Sequence, residues 1–286
     1  MTSIRLCAAP GRARLETRAG ALVPRVIETG PASARVALVA GGALLLGGDE
    51  VRLSITVGAG CTLELEDIGG TVAYDADGLQ STWTVEATVE ANALLIWHGL
   101  PFVLADGANV DRRTTITLRG HGALACLRET IVLGRTGERG GAIDLHTTVL
   151  TTGGADPQTS DVAEPLFVER LRVRGAEPVP GVLGGHRVLD SLLLLGTRAP
   201  AGSDGPGAAA QLGPTELLQP EGPASIARSL QHEAHRSLLT PVWTHWCAHA
   251  LAVHAAALWA TPADATDGFD NRMPAPAHAL SLGSRA

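Results

Sequence analysis

The chain has 286 residues, of which 45% are hydrophobic but only 3% aromatic, and it carries a net charge of −7. This charge argues against a general nucleic-acid binder, which would show a basic face, and no apolar run approaches the ~20 residues of a membrane span. The first 20 residues contain no continuous apolar core, so no signal peptide is predicted and we expect a cytoplasmic protein. Four dispersed cysteines predict free thiols: Cys7, Cys61, Cys126 and Cys247.

After one or two strands in residues 1–30, the pattern becomes strongly β. Over residues 51–57, apolar side chains alternate with polar ones, which is typical of a strand buried on one face. The alternation continues after a turn at residues 58–60 and returns at residues 83–89 and 116–118. Each of these strands ends at a short turn that is followed by a second apolar strand.

The strand–turn–strand unit recurs at a regular interval. Its turn residues Gly60, Asn92 and Gly122 are separated by 32 and 30 positions. A repeat of about 30 residues predicts stacked coils or layered hairpins. No amphipathic helix separates these strands, so a parallel sheet with helical crossovers is not expected. We predict a mainly β fold, either a β-solenoid or β-helix-like stack or a distorted sandwich.

The second half of the chain contains more turn residues. Residues 166–173 predict a strand, and residues 188–195 predict a buried strand or a short helix. A helix is predicted from Pro223 to about residue 239, and a second apolar helix from residue 242 to about residue 259. Loops are expected at residues 151–159 and 199–209. The predicted units are a β-rich body (1–220), a C-terminal helical segment (221–260) and a disordered tail (261–286).

No motif of a catalytic nucleophile, a phosphate loop or a zinc protease is present, so the candidate sites rest on single residues. His245 and His249 are four positions apart and share one face of the second helix, where they could bind zinc, copper or nickel. Alternatively, they simply cover an amphipathic surface. Asp49, Glu129 and Glu169 stand at the edges of apolar strands and could form an acidic path for a hydrated cation. The alternative is that water solvates each of them.

A charged turn follows the strand that ends at Leu133. Arg135, Glu138 and Arg139 lie within five positions there, although a chain reversal needs only Gly, Asn or Asp. Either the turn is a solvated loop with a local ion pair, or it orders a rim that meets a partner.

Several of these segments together resemble the urease accessory protein UreD, called UreH in some systems. The resemblance covers about residues 35–175 and rests on segments in the same order: L-L-L-G-G-D (44–49), the alternating strand (51–57), the turn G-A-G (58–60), V-A-Y (72–74), L-P-F (100–102), R-E-T-I-V-L-G-R (128–135) with G-E-R (137–139), and F-V-E-R-L (167–171).

The resemblance implies a non-catalytic protein with a β body and a few helices. It implies a chaperone-like scaffold that binds apo-urease on one side and UreF on the other, with the GTPase UreG docked through UreF. It also implies that nickel passes through the protein to urease, with no permanently bound cofactor. On this basis Asp49, Glu129 and Glu169 are the candidate metal-passing groups, and His245 and His249 are candidates for transient nickel binding.

Two other functions remain open from the sequence. One is a β-rich protein-binding module with an unknown partner. The other is a carbohydrate-active enzyme on a β-solenoid, which would need paired carboxylates and an aromatic platform for sugars. The chain offers one Tyr and three Phe for such a platform.

Overall fold

The computed structural model describes residues 1–153, 162–200 and 215–260. These residues form strands β1 (Thr2–Cys7), β2 (Arg14–Arg18), β3 (Leu22–Thr29), β4 (Ser33–Ala40), β5 (Glu50–Val57), β6 (Thr62–Asp67), β7 (Thr71–Ala73), β8 (Ser81–Val89), β9 (Leu94–His98), β10 (Phe102–Leu104), β11 (Asn109–Arg119), β12 (Leu124–Leu133), β13 (Ala142–Thr152), β14 (Glu164–Arg174), β15 (Val188–Leu195), β16 (Thr215–Leu218) and β17 (Ala224–Gln231). A 3-10 helix (Ala234–Arg236) and one α-helix, α1 (Leu239–Ala260), follow them.

The strands form two large sheets. The seven-stranded sheet has the order β14-β13-β11-β8-β5-β1-β2, and its strands β1, β5, β8, β11 and β13 pair in parallel. The ten-stranded sheet follows the order β16-β17-β15-β12-β9-β6-β4-β3, in which β4, β6, β9 and β12 are parallel. Two further short strands, β7 and β10, pair in parallel with each other, and β10 also pairs in parallel with the end of β12.

The chain passes from one sheet to the other and back in each repeat, so the body is a β-solenoid of about four turns. This confirms the predicted fold class. The alternating strands predicted at residues 51–57 and 83–89 are β5 and β8, and their apolar side chains face the space between the sheets. Burying one such Leu or Val side chain contributes about 1.5–3 kcal/mol. Every coil supplies side chains to this core.

The predicted turn residues stack on one another. Gly60, Asn92 and Gly122 all have positive φ values, of 71°, 51° and 70°. Gly60 N–H donates to the carbonyl of Ala91, and Asn92 N–H donates to the carbonyl of His121. A side chain at Gly122 would place its Cβ 2.2 Å from Asn92 Oδ1. The occurrence of Gly and Asn at these turns therefore has a steric cause.

Strands β9 and β10 both pair with the long strand β12 and form a wall beside it. This wall has a gap between the two strands. Arg128 at one point of β12 pairs with the last residue of β9, and Ile131 pairs with the first residue of β10. Between these points, residues 99–101 leave the sheet, although Gly99 N–H still donates to the carbonyl of Arg128. Glu129 and Thr130 on β12 therefore lie opposite a gap in the wall.

Helix α1 packs on the outer face of the ten-stranded sheet. Trp246 and Ala250 are fully buried there, against a second apolar cluster that includes Leu94 and Leu192. Cys247 approaches Cys126 to an Sγ–Sγ distance of 3.8 Å, and all four cysteines are free thiols, as predicted. Within the described residues, no helix has both the length and the apolar composition needed to cross a membrane.

A buried carboxylate anchors the start of this helix. Asp190 on β15 is inaccessible to solvent and accepts hydrogen bonds from Arg128 at 2.8 and 3.3 Å, Thr130 at 2.9 Å and Ser237 at 2.5 Å. Arg128 also donates to Thr240 Oγ1 at 3.2 Å. The sheet and the entry to the helix are thus joined through one network.

The predicted helix from Pro223 to residue 239 is wrong, because residues 224–231 form β17 in the ten-stranded sheet. Ile226 and Leu230 fit a helical spacing, but they also lie on one face of a strand whose alternation Arg228 interrupts. The β-rich body therefore extends into the predicted helical segment.

Of the other C-terminal predictions, some are confirmed and some lie outside the described residues. The second helix is confirmed as α1, and Pro241 lies in its first turn, where a missing N–H is tolerated. Residues 188–195 are a strand, β15. The predicted tail (261–286) lies outside the described residues, as do residues 154–159 and 201–209 of the two predicted loops.

Candidate functional site

Polar side chains cross the interior of the solenoid between the two sheets. One inward-facing row of the seven-stranded sheet runs from apolar to polar across its strands: Leu53, Val85, Thr114, Thr147 and Glu169. A row of the ten-stranded sheet faces the same interior: Glu129, Ser191 and Arg228. We call the following side chains the internal polar layer: Arg112, Thr114, Glu129, Thr147, Glu169, Ser191 and Arg228.

Two ion pairs join the sheets across this layer. Arg112 Nη2 contacts Glu129 Oε1, and these side chains are only 11% and 18% exposed. Arg228 donates through both terminal nitrogens to Glu169, with distances of 2.6 and 2.5 Å. Glu129 and Arg228 lie two strands apart, which is about 10 Å at the ordinary strand spacing. The two pairs are therefore neighbours within one layer.

Arg112 lies among aromatic rings as well as beside Glu129. Its guanidinium carbon is 4.7 Å from the ring centroid of Phe102 and 5.7 Å from that of Trp83. Among the residues that the structure describes, its Nε is buried without a hydrogen-bond partner, and the same holds for Nε of Arg228. Each of the two guanidinium groups therefore has an unused N–H donor inside the described structure. Leaving such a buried donor without an acceptor costs free energy.

A cavity of about 50 Å³ connects this layer with the gap in the wall. Its lining includes Glu129, Arg112 and Thr147 of the layer together with Gly99 of the gap and Asp67, which accepts a hydrogen bond from Leu100 in the gap. Such a volume accommodates one or a few water molecules or a small hydrated species.

Asp67 is a second carboxylate in this cavity. It accepts hydrogen bonds from Trp97 Nε1 at 3.2 Å and from Leu100 N–H at 3.0 Å. Burial raises the pKa of the Asp67 carboxyl, and the two donors and the charge of Arg112 oppose this effect. The cavity thus presents two carboxylates, a guanidinium and hydroxyl groups to any species that enters it.

Comparison with known proteins identifies the family. The family model described as UreD urease accessory protein matches residues 3–260. The chain belongs to this family. Urease accessory protein UreD 1 of Streptomyces griseus is 39% identical over 215 residues, covering 72% of this chain and 78% of its own length. Urease accessory protein UreD of Frankia alni is 37% identical over 210 residues, covering 70% and 69%. Urease accessory protein UreD 3 of Streptomyces griseus is 32% identical over 244 residues, covering 78% and 89%.

The resemblance inferred from short motifs is thus confirmed for this UreD-family chain. The match extends well beyond the region that carries the motifs, through β17 and α1. The relatives' names place the chain among urease accessory proteins.

The three carboxylates predicted for a metal path do not all lie together. Glu129 and Glu169 both enter the internal polar layer, each paired with a guanidinium. Asp49 instead lies in the turn before β5, where its Oδ2 accepts the N–H of Leu46 at 3.0 Å. In this structure Asp49 stabilises a turn.

His245 and His249 lie on α1, as predicted, but outside the solenoid. His245 is exposed, and His249 Nε2 is 3.1 Å from the carbonyl oxygen of Arg198. Among the described residues, no three His, Cys, Asp or Glu side chains are grouped as metal ligands would be. A role for these histidines in nickel binding stays a prediction.

The charged turn is largely satisfied by its own contacts. Arg135 donates from its backbone and side chain to Glu138, and these bonds lower the pKa of the Glu138 carboxyl to about 2. The backbone N–H groups of Arg139 and Gly140 both donate to Asp106 in the preceding coil. Glu138 and Arg139 also line a cavity of about 260 Å³ together with residues of the connection between β14 and β15. Hydrogen bonds within the turn and to the preceding coil therefore fix its conformation. Its role towards a partner stays a prediction.

Sequence reasoning missed Arg112, Arg228 and Asp67. The sequence did contain a signal for Arg112, because it is a charged residue at an inward-facing position of β11, between Val110 and Thr114. Arg228 was hidden by the wrong helix assignment.

Proposed function

We propose that this UreD-family chain is a non-catalytic, cytoplasmic maturation factor that binds apo-urease and UreF, and UreG through UreF, and passes nickel to urease. The internal polar layer is the proposed route. The observation that carries the proposal is that Glu129 and Glu169, from opposite sheets, both project into the interior and share a layer with hydroxyl groups.

The donor chemistry supports transit rather than storage. Nickel in proteins is well served by imidazole, whereas carboxylate and hydroxyl oxygens suit harder cations and hold nickel less firmly. A route must release its cargo, so oxygen donors are appropriate. Asp67 beside the gap supplies a carboxylate at one approach to the layer.

The charge pairing also favours a non-catalytic role over the carbohydrate-active alternative. A glycosidase needs a carboxylic acid that can protonate the leaving group and a second carboxylate that attacks or activates water. Glu129 and Glu169 are instead each held in an ion pair with an arginine, Arg112 and Arg228 respectively.

The experiment tests the route and the scaffold separately. Glu129→Gln and Glu169→Gln, singly and together, are expressed with urease, UreF and UreG, and urease is purified for measurement of bound nickel and activity. Glu86→Gln is the matched control, because Glu86 lies exposed on the outer face of β8. We expect reduced nickel content with the interior variants, with unchanged co-purification of the accessory proteins and apo-urease.

Two results would contradict the proposal at different points. Normal nickel content of urease with the double variant would exclude the internal route. Failure of the tagged wild-type chain to capture either apo-urease or UreF, with full urease activity in a strain that lacks the chain, would exclude the scaffold.

A further inference from the structure

Each carboxylate in the internal polar layer already has a counter-charge. Glu129 faces Arg112, and Glu169 faces Arg228, so the net charge of the four groups is zero. A divalent cation that enters a neutral layer meets a guanidinium where it would otherwise meet a free carboxylate. Its binding therefore requires the exchange of one cation for another.

The two arginines are held to different extents. Arg228 contacts Glu169 through both terminal nitrogens, in the bidentate geometry that is strongest for this pair. Arg112 contacts Glu129 through Nη2 alone, and in the described part of the chain its Nε finds no acceptor. The pair beside the cavity is thus the weaker one.

Arg112 also has another favourable position. The rings of Phe102 and Trp83 lie within 5.7 Å of its guanidinium carbon and attract a cation in a site shielded from water. A guanidinium that leaves Glu129 can remain over these rings without returning to solvent. This lowers the cost of displacement.

We propose that Arg112 is the specificity-determining gate of the layer: it occupies the cation position at Glu129, and a divalent metal binds Glu129 only by displacing it. This inference rests on the proposed nickel route. A metal that dehydrates reluctantly and keeps its waters, such as Mg²⁺, does not displace the guanidinium. Nickel binds a given oxygen or nitrogen site more tightly than manganese, iron or cobalt, and it competes better.

The test uses the purified full-length chain and nickel chloride, with the affinity measured by titration calorimetry in the presence and absence of excess magnesium chloride. Arg112→Leu removes the gate and suits its row, since Leu145 occupies the same inward row on the neighbouring strand. Arg113→Met is the matched control, because Arg113 is the next residue and pairs with Asp111 on the outer face. If Arg112→Leu does not fold, Arg112→Met carries the test.

We expect Arg112→Leu to tighten nickel binding by about tenfold or more, because coupling energies of close buried charge pairs reach this size. We also expect magnesium to compete in this variant and not in the wild type. Arg113→Met should match the wild type. Arg112→Leu combined with Glu129→Gln should lose the gain, because the released carboxylate is then absent.

A nickel affinity of folded Arg112→Leu equal to that of the wild type overturns the gate, as does a gain that persists in the double variant. The route itself is judged by a different measurement, the nickel content of urease with Glu129→Gln. If that content falls while Arg112→Leu binds nickel like the wild type, only the gate fails. If that content stays normal, the route fails whatever Arg112→Leu does.

Discussion

Replacing Asp190 by alanine should cost a large part of the stability of the fold. The carboxylate is fully buried and accepts hydrogen bonds from Arg128, Thr130 and Ser237. Its loss removes the carboxylate that pairs with the Arg128 guanidinium in the described structure, and the Arg128 side chain is only 12% exposed. Removing one partner of a buried ion pair costs about 3–5 kcal/mol, which is a large fraction of the ~5–15 kcal/mol of a typical domain. The start of α1 loses its anchor at the same time.

Urea unfolding followed by circular dichroism measures this effect. Asp190→Asn keeps the shape and one acceptor, so its loss should be smaller than that of Asp190→Ala. Glu50→Ala is the control, because the pair of Glu50 with Arg52 is more than half exposed on both sides and such pairs contribute ~0–1 kcal/mol. A loss below ~1 kcal/mol for Asp190→Ala would refute the reasoning, because it would mean that the buried guanidinium needs no carboxylate.

Three further changes have expected outcomes. Gly122→Ala should cost more than ~1 kcal/mol in urea unfolding, because it combines a positive φ with a collision at Asn92. A Cβ at Gly42 meets no heavy atom of the described residues within 4 Å, so Gly42→Ala should be nearly neutral. Because the pKa of Glu138 falls from 4.5 to about 2 on folding, its contribution is present above pH 4.5 and is lost towards pH 2. Glu138→Gln should therefore lose less stability than the wild type between pH 5 and pH 2 in acid-unfolding curves. Burial lowers the pKa of His254 below 6.5, so the unfolded chain takes up its proton first and stability falls as the pH drops below 6.5. In thermal melts at pH 7 and pH 5, His254→Gln should show a smaller difference than the wild type, and an equal difference would count against this assignment.

Local patterns predicted the solenoid well because its coils repeat local rules. Alternation fixed which side chains of β5 face inward, and the turn residues Asn92 and Gly122 marked the corners. The same rules failed at residues 224–231, because Arg228 replaces an apolar side chain at an inward position. An interrupted alternation looks helical when the remaining apolar residues are four positions apart.

The site was less accessible to sequence reasoning than the fold. Glu129 and Glu169 could be selected as carboxylates on apolar strands, but their partners depend on which strands face each other across the interior. Arg228 and Glu169 are 59 positions apart, and no local periodicity encodes such a contact. Asp49 shows the converse, since its position at a strand end reflects a local turn rather than the interior.

The ends of the coil stack decide how long the stack is. Parallel coils could in principle accept another coil at either end, as in a fibre. Here the chain reverses direction at each boundary, where β2, β3, β14 and β15 pair antiparallel with the outermost parallel strands. A further 30-residue coil cannot continue the parallel stack beyond such a strand, because it would meet an antiparallel neighbour. The finite size of the protein is therefore specified by its terminal strands, while the coils between them could be duplicated without disturbing that limit.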